Sequence, residues 1–371
     1  MKIKQINYVD VAQQHRSIRD ELLEAAAQVI DHGMGVLGDE VRQFEEQFAE
    51  LCGTRFAAGV NSGLDALVIA LRALDIGAGD EVITVPNSFI ATASCIGLAG
   101  AKPVFVDVRD DFNIDPTQIE NAITPRTKAI LPVHLTGRPA DMQPILEIAE
   151  KHSLFVIEDA AQAVSAAYHN QCVGSFGSVG CFSLHPLKNL NACGDGGMLT
   201  TNNEALYEKF KLYRNHGLET RDECIFWGYN SRLDTMQAAL LLVKIKHLPE
   251  WTEKRRRNAQ FYQEHLSGIS GLLVPTDKPY EKAVYHTFII QTDARDELKA
   301  YLQSKGIGSA IHYPRPIHLQ KTAAYLGYGP GDFPITERQA NRILSLPVYP
   351  DLSTADLNYV VKTIGEFFQY S

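Results

Sequence analysis

Basic side chains all but vanish from one part of this sequence. Between His152 and Glu208 there is a single one, Lys188, although lysine and arginine together number 35 in 371 residues. Other absences narrow the field. No GxxxxGK[ST] stretch occurs and no GxGxxG follows a strand-like run, which removes the commonest nucleotide-binding loops. The six cysteines (Cys52, Cys95, Cys172, Cys181, Cys193, Cys224) form no CxxC pair and no regular spacing, and most are expected to be buried small residues. The opening stretch MKIKQINYVDVAQQH lacks the apolar run of an export signal, so reduced cysteines and a cytoplasmic location are expected. No strong basic stripe stands out: 44 acidic against 35 basic residues give a net charge of -9, which argues against nucleic acid or an anionic membrane as main partner. The one dense basic run, EKRRRN from Glu253 to Asn258, reads as a solvated helix face.

What is present is ordinary globular composition, 45% hydrophobic and 21% charged, long enough for two domains or one large α/β domain with an appendage. Strand-like runs (RFAAGV, EVITVP, KPVFVDV, KAILPVH, LFVIEDA) alternate with helix-period segments such as SGLDALVIALRALDI and DMQPILEIAEKHS. That alternation predicts βαβ units around a mostly parallel, buried sheet. The uncharged stretch Val82 to Ala101 approaches the length of a membrane span, but Pro86-Asn87-Ser88 divides it into a strand and a small-residue helix. After about Lys244 the texture changes: LPEWTEKRRRNAQFYQEHL predicts a long amphipathic helix, followed by mixed strand and helix segments. The expected division is a large α/β domain over 1–249 and a smaller C-terminal α+β domain over 250–371.

Parallel sheets place functional groups at the carboxyl ends of their strands. Three such ends carry more than packing residues. Asn61-Ser62-Gly63 ends a strand and opens a helix, either an ordinary cap or a nest for an anion such as phosphate. Glu158-Asp159 ends an apolar run, where a carboxylate needs a positive partner, be it a salt bridge or a ligand. Lys188 follows the run VGCFSL. Alone it reads as a lysine snorkelling to solvent, yet a desolvated lysine also loses its proton readily and attacks aldehydes as the neutral amine. Lysine, carboxylate and anion nest together match a cofactor with an aldehyde, a pyridine nitrogen and a phosphate, which is pyridoxal phosphate.

The stretches VIEDAAQA, GCFSLHPLKNL, GDGGMLTTN, RNHG, GYNSRLDTMQAALLLVKI and HYPRPIHLQ, in this order, resemble the DegT/DnrJ/StrS family of sugar aminotransferases. The resemblance covers nearly the whole chain. It implies an α/β PLP-dependent transferase fold of the aspartate aminotransferase type, and a homodimer whose active sites both subunits share. By the same resemblance Lys188 forms the internal aldimine and Asp159 pairs with the pyridinium nitrogen. Gln162 lies near the phenolic oxygen and Phe89 stacks on the ring. Ser62, Gly63 and Ser183 hold the phosphate, which Asn230 reaches from the neighbouring subunit. Leu64 stands where the family usually has threonine, Val164-Ser165-Ala166 where many members have His-Gly-Ala, and Thr136 and Arg138 where tyrosine and glutamine are common.

The implied reaction is a ping-pong transamination from glutamate, through pyridoxamine phosphate, to a keto sugar on a nucleotide carrier. IHYPRPIHLQ and GDGG resemble members that aminate C3 of a 3-keto-6-deoxy sugar, a dTDP-linked hexose by this reading, with Tyr313 and His318 near the sugar or nucleotide. C4 amination is the alternative. A sugar dehydratase would carry histidine at the position of Lys188, and a non-catalytic regulator would have no use for Lys188, Asp159 and Ser183 together. His312 and His318 as metal ligands lack the cysteine or acidic partners to complete a set. Arg138, Arg214 and Arg315 are candidates for holding substrate or donor anions.

Overall fold

A computed structural model describes residues 5–370; the first four, part of the stretch read for an export signal, lie outside it. Strands β1 (Phe56–Val60), β2 (Glu81–Thr84), β3 (Lys102–Phe105), β4 (Thr127–Ile130) and β5 (Phe155–Asp159) are followed by a short hairpin, β6 (Ala167–Tyr168) and β7 (Gln171–Cys172). Then come β8 (Val179–Ser183), β9 (Gly197–Thr201), β10 (Glu281–Lys282), β11 (Phe288–Gln291) and β12 (Ile343–Leu346).

Seven of them form one sheet in the order β1-β9-β8-β5-β4-β2-β3. Neighbours from β8 to β3 run parallel, and β9 is antiparallel to both β8 and β1. Helices cover both faces, so the strands are apolar without alternation: all four residues of β2 are buried. The helix Gly63–Ala73 packs on β8 and β9 with Leu67, Ile69 and Leu71 almost fully enclosed. Truncating any one to alanine costs about 2–5 kcal/mol. Val82 to Ala101 divides as its sequence predicts, into β2 and the helix Ala91–Ala99. Among the described residues, no helix is long and apolar enough to cross a membrane.

A second core gathers β11, β12 and the helices Arg295–Ser304 and Thr354–Tyr370 around Phe288, Ile290, Leu298, Leu344 and Val360. Two features cross the expected division at 249. One helix, Thr235–Leu266, runs unbroken through it with Pro249 inside. Its first half buries Ala238 and Leu241 in the large unit, and its second half buries Ala259, Tyr262 and Leu266 in the smaller one. The segment TMQAALLLVKI is apolar because it lies between elements, which hid the true start of this helix from an amphipathic reading. The other is Ile6, which sits in the second core and pairs with Ile307. The cysteines depart from expectation: Cys52, Cys95 and Cys181 are buried, Cys172 is half-buried, and Cys193 and Cys224 sit exposed on loops.

Candidate active site

The carboxyl ends of β5 and β8 and the start of the helix Gly63–Ala73 meet at a cavity of about 390 Å³. Strand alternation separates the adjacent acids at the end of β5. Glu158 points into the protein, where it accepts from the amides of Gly174 (2.7 Å), Phe176 (2.8 Å) and Gly177 (2.8 Å) and from His134 (3.0 Å). It is a structural hub. Asp159 points to the cavity, accepting from the Thr92 hydroxyl at 2.7 Å and the Ala161 amide at 3.2 Å. Burial pushes its carboxyl above the usual range, while the Thr92 and Ala161 bonds and the charge of Lys188 pull it back.

Lys188 lies on the loop between β8 and β9, which its own backbone closes: Leu184 donates to Gly196 O (2.8 Å) and Ala192 to Leu184 O (2.7 Å). His185 serves the loop too, its Nδ1 accepting from the Leu187 amide at 3.3 Å. Burial lowers Lys188 from 10.5 to about 8, against the opposing pull of Asp159. About a tenth of the amine is therefore neutral at pH 7, far more than for a solvated lysine.

Ser62 caps the helix, its hydroxyl accepting from the Asp65 amide at 3.1 Å. The amides of Gly63 and Leu64, at the cavity wall, have no intrahelical partner. Ser183, ending β8, lies so close that a Cβ on Gly63 would stand 2.7 Å from the Ser183 Cβ. A side chain at Gly63 would push the helix start away from Ser183. Phe89 stands exposed on the rim, its ring centroid 5.6 Å from that of Tyr313. Gln162 accepts from the Thr136 amide at 2.7 Å and donates to the Tyr313 hydroxyl at 3.4 Å.

The structure thus brings Ser62, Gly63, Phe89, Asp159, Gln162, Ser183, Lys188 and Tyr313 to one cavity. It does not bring His318 there. That ring is buried beside Phe333 and bonds Glu337 at 3.1 Å. Asn230 is exposed and pairs with Asn215 away from the cavity of its own chain. The three nominated arginines are engaged elsewhere: Arg138 with Glu281 (3.3 Å) and Asp277 (3.5 Å), Arg214 with Glu45, Arg315 with the Leu319 carbonyl.

Sequence reasoning missed Tyr8, Arg255 and His286 and weighed His312 only as a metal ligand; all four line the same cavity. Arg255 corrects the reading of EKRRRN as a solvated face: it is 5% exposed, while Glu253 and Arg257 face solvent. Helical spacing was the available signal, because Arg255 shares a face with Trp251, Ala259 and Tyr262. Burial drives His286 well below the ordinary histidine value and His312 down to about 4, so both rings are neutral.

An uncapped pair of amides beside a serine hydroxyl, a buried carboxylate and a readily neutralised lysine offer partners for a phosphate, a cationic ring nitrogen and an aldehyde. Pyridoxal phosphate carries all three, so the residues present fit it. The class defined is a pyridoxal-phosphate enzyme of the aspartate aminotransferase fold type. Comparison with known proteins narrows this: the DegT/DnrJ/EryC1/StrS aminotransferase family matches residues 16–365, and the chain belongs to it. It is 46% identical over 360 residues to a UDP-N-acetyl-3-dehydro-alpha-D-glucosamine 3-aminotransferase of Acidithiobacillus ferrooxidans, covering 97% of each chain. It is 45% identical over 365 residues to a pleiotropic regulatory protein of Geobacillus stearothermophilus, covering 98% of each. The crystal structure of Streptomyces venezuelae DesV with a ketimine intermediate superposes with a TM-score of 0.97 at 40% identity, covering 98% of this chain and 99% of that one. Further relatives are named as transaminases of dTDP-3-amino sugars. The protein is a sugar aminotransferase with pyridoxal phosphate as cofactor.

Proposed function

We propose that the protein transfers the amino group of glutamate to C3 of a 3-keto-6-deoxyhexose carried on dTDP, by a ping-pong reaction that passes through pyridoxamine phosphate. The observation that carries the reading is the meeting of Lys188, Asp159 and the Ser62-Gly63-Ser183 cradle at one cavity. C3 is favoured by the stretches GDGG and HYPRPIHLQ and by relatives named for 3-amino sugars.

When bound, pyridoxal phosphate supplies an aldehyde carbon that takes the amino group and a ring that draws electrons from the reacting carbon. The chain's residues do the rest. The Gly63 and Leu64 amides and the Ser183 hydroxyl hold the phosphate at the helix start. Asp159 would face the ring nitrogen and keep a proton on it, the cationic nitrogen offsetting the burial that raises this carboxyl. Phe89 covers the ring and Gln162 stands beside it. Lys188, whose lowered pKa of about 8 makes the neutral amine accessible, takes a proton from the reacting carbon of the donor and returns one to that of the sugar. Tyr313, its hydroxyl held up at about 12 by burial and by Asp159, stays a neutral donor on the sugar side.

In this reading residues 1–249 form the cofactor unit and 250–371 the smaller one, in a cytoplasmic homodimer in which Asn230 reaches the partner's phosphate. A regulatory role, suggested by the name of one relative, would leave Lys188, Asp159 and Ser183 without purpose. The test incubates the protein with glutamate and a panel of dTDP- and UDP-linked 3-keto and 4-keto sugars, identifying the amino sugar formed. Product from 4-keto sugars alone defeats the C3 assignment, and no product from any sugar, with no bleaching of the cofactor by glutamate, defeats the catalytic reading.

A further inference from the structure

We infer that Arg255 receives a carboxylate of the amino donor in the cavity that holds Lys188. The inference rests on the aminotransferase reading above and names a subsite within it.

Arg255 is 5% exposed and lines that cavity. One terminal nitrogen donates to the Tyr285 carbonyl at 3.3 Å, and its Nε is buried with no acceptor. Among the described residues, no carboxylate forms an ion pair with it. Asp351, the acid whose charge it feels, pairs instead with Lys254 at 3.8 Å. Burial lowers the guanidinium to about 10, which leaves it a cation at neutral pH. A buried, unpaired cation with a free donor is a receptor awaiting an anion.

The choice of anion follows from its surroundings. A cofactor phosphate has its own cradle at Ser62, Gly63 and Ser183. Arg255, His286 and Lys188 line one cavity, so the guanidinium shares that space with the amine that handles the reacting carbon. In a donor amino acid that carbon bears a carboxylate. In a nucleotide sugar the diphosphate is set apart from the keto carbon by the sugar ring. Because His286 and His312 are neutral, they do not compete for the carboxylate's charge.

The test titrates the holoenzyme with glutarate, a dicarboxylate that has no amino group to give. Arg255→Gln should weaken glutarate binding by at least about tenfold, the loss expected for a charge-assisted hydrogen bond, and Arg255→Lys by less. Arg257→Gln, on the exposed face of the same helix, should leave binding unchanged. A second measurement needs no variant: dicarbonyl labelling of the wild-type holoenzyme with peptide mapping should show glutarate protecting Arg255 and not Arg257. A folded Arg255→Gln protein that binds glutarate within about threefold of wild type overturns the inference. So does labelling of Arg255 that glutarate leaves unchanged, or that only a nucleoside diphosphate prevents. Glutarate binding requires no turnover, so a protein that binds it through Arg255 yet moves no amino group sinks the aminotransferase reading alone.

Discussion

The cavity has two walls of different construction. The first is made by backbone at the ends of β5 and β8 and the start of the helix Gly63–Ala73. Its groups are held in place: Asp159 by the Thr92 hydroxyl and the Ala161 amide, Lys188 by a loop that hydrogen-bonds to itself. The second wall is made of side chains from beyond the long helix's midpoint, namely Arg255, His286, His312 and Tyr313. Its ties to the first include Asn189 donating to the Val284 carbonyl at 3.0 Å and Gln162 donating to Tyr313 at 3.4 Å. A fixed wall suits a cofactor that stays through many turnovers. A wall of side chains gathered from the long helix and the loops beside the second core suits substrates that enter and leave.

The fixed wall is most sensitive at Lys188. Lys188→Ala should slow the glutamate half-reaction on the order of 10⁴-fold or more, because both the nucleophile and the proton carrier go. Single-turnover absorbance of the bound cofactor measures this. A loss under about tenfold would move the catalytic amine elsewhere. Asp159→Asn keeps the shape and the Thr92 contact but removes the charge, so the rate should fall about 10²–10³-fold while the cofactor still binds. If the Asp159→Asn protein loses its cofactor instead, Asp159 is an anchor rather than an electrostatic group.

The first wall was legible in the sequence, and of the second only Tyr313 was, for a physical reason. Strand ends, a capped helix start and a lone lysine leave local marks, since each depends on residues adjacent in the chain. Arg255 left a contrary mark. In the run EKRRRN it looks like one solvated cation among several, and only the packing of the long helix against the second core turns that position inward. His286 and His312 come from loops brought together on β12, by its pairing with β11 and by the bridge of Ala310 to Ser345, long-range events with no local signature. His318 failed in the opposite way. It shares a motif with Tyr313, yet after Pro316 the chain turns and buries it elsewhere.

Smaller effects sharpen the picture of the fixed wall. Gly63→Ala places a methyl 2.7 Å from the Ser183 Cβ, and the resulting shift should weaken pyridoxal phosphate binding by about 1–3 kcal/mol. Titration of the cofactor into stripped protein measures it, and unchanged affinity would mean the cradle tolerates widening. Capture of the cofactor by Lys188 should also depend on pH in a defined sense. The neutral amine reacts, and burial lowers its pKa from 10.5 to about 8. The rate should therefore rise through the approach to pH 8 and level off above it, whereas a solvated lysine would keep gaining until well beyond pH 10. Stopped-flow mixing across pH 6 to 9.5 distinguishes the two curves.

The smallest predicted effect falls outside both walls. His318 is 1% exposed, its Nε2 bonded to Glu337 at 3.1 Å and its ring packed on Phe333 with centroids 4.7 Å apart. Glu337 also accepts from the Gly331 amide at 2.8 Å and the Phe333 amide at 3.3 Å, so it keeps partners when the histidine goes. His318→Asn should thus lower stability by about 1–2 kcal/mol, the cost of one buried hydrogen bond and some packing. It should leave kcat and the KM for the nucleotide sugar unchanged, because the ring does not reach the cavity. Chemical denaturation and steady-state kinetics on the same preparation test both halves. A KM raised about tenfold at unaltered stability would return His318 to the substrate wall and make packing beside Phe333 incidental.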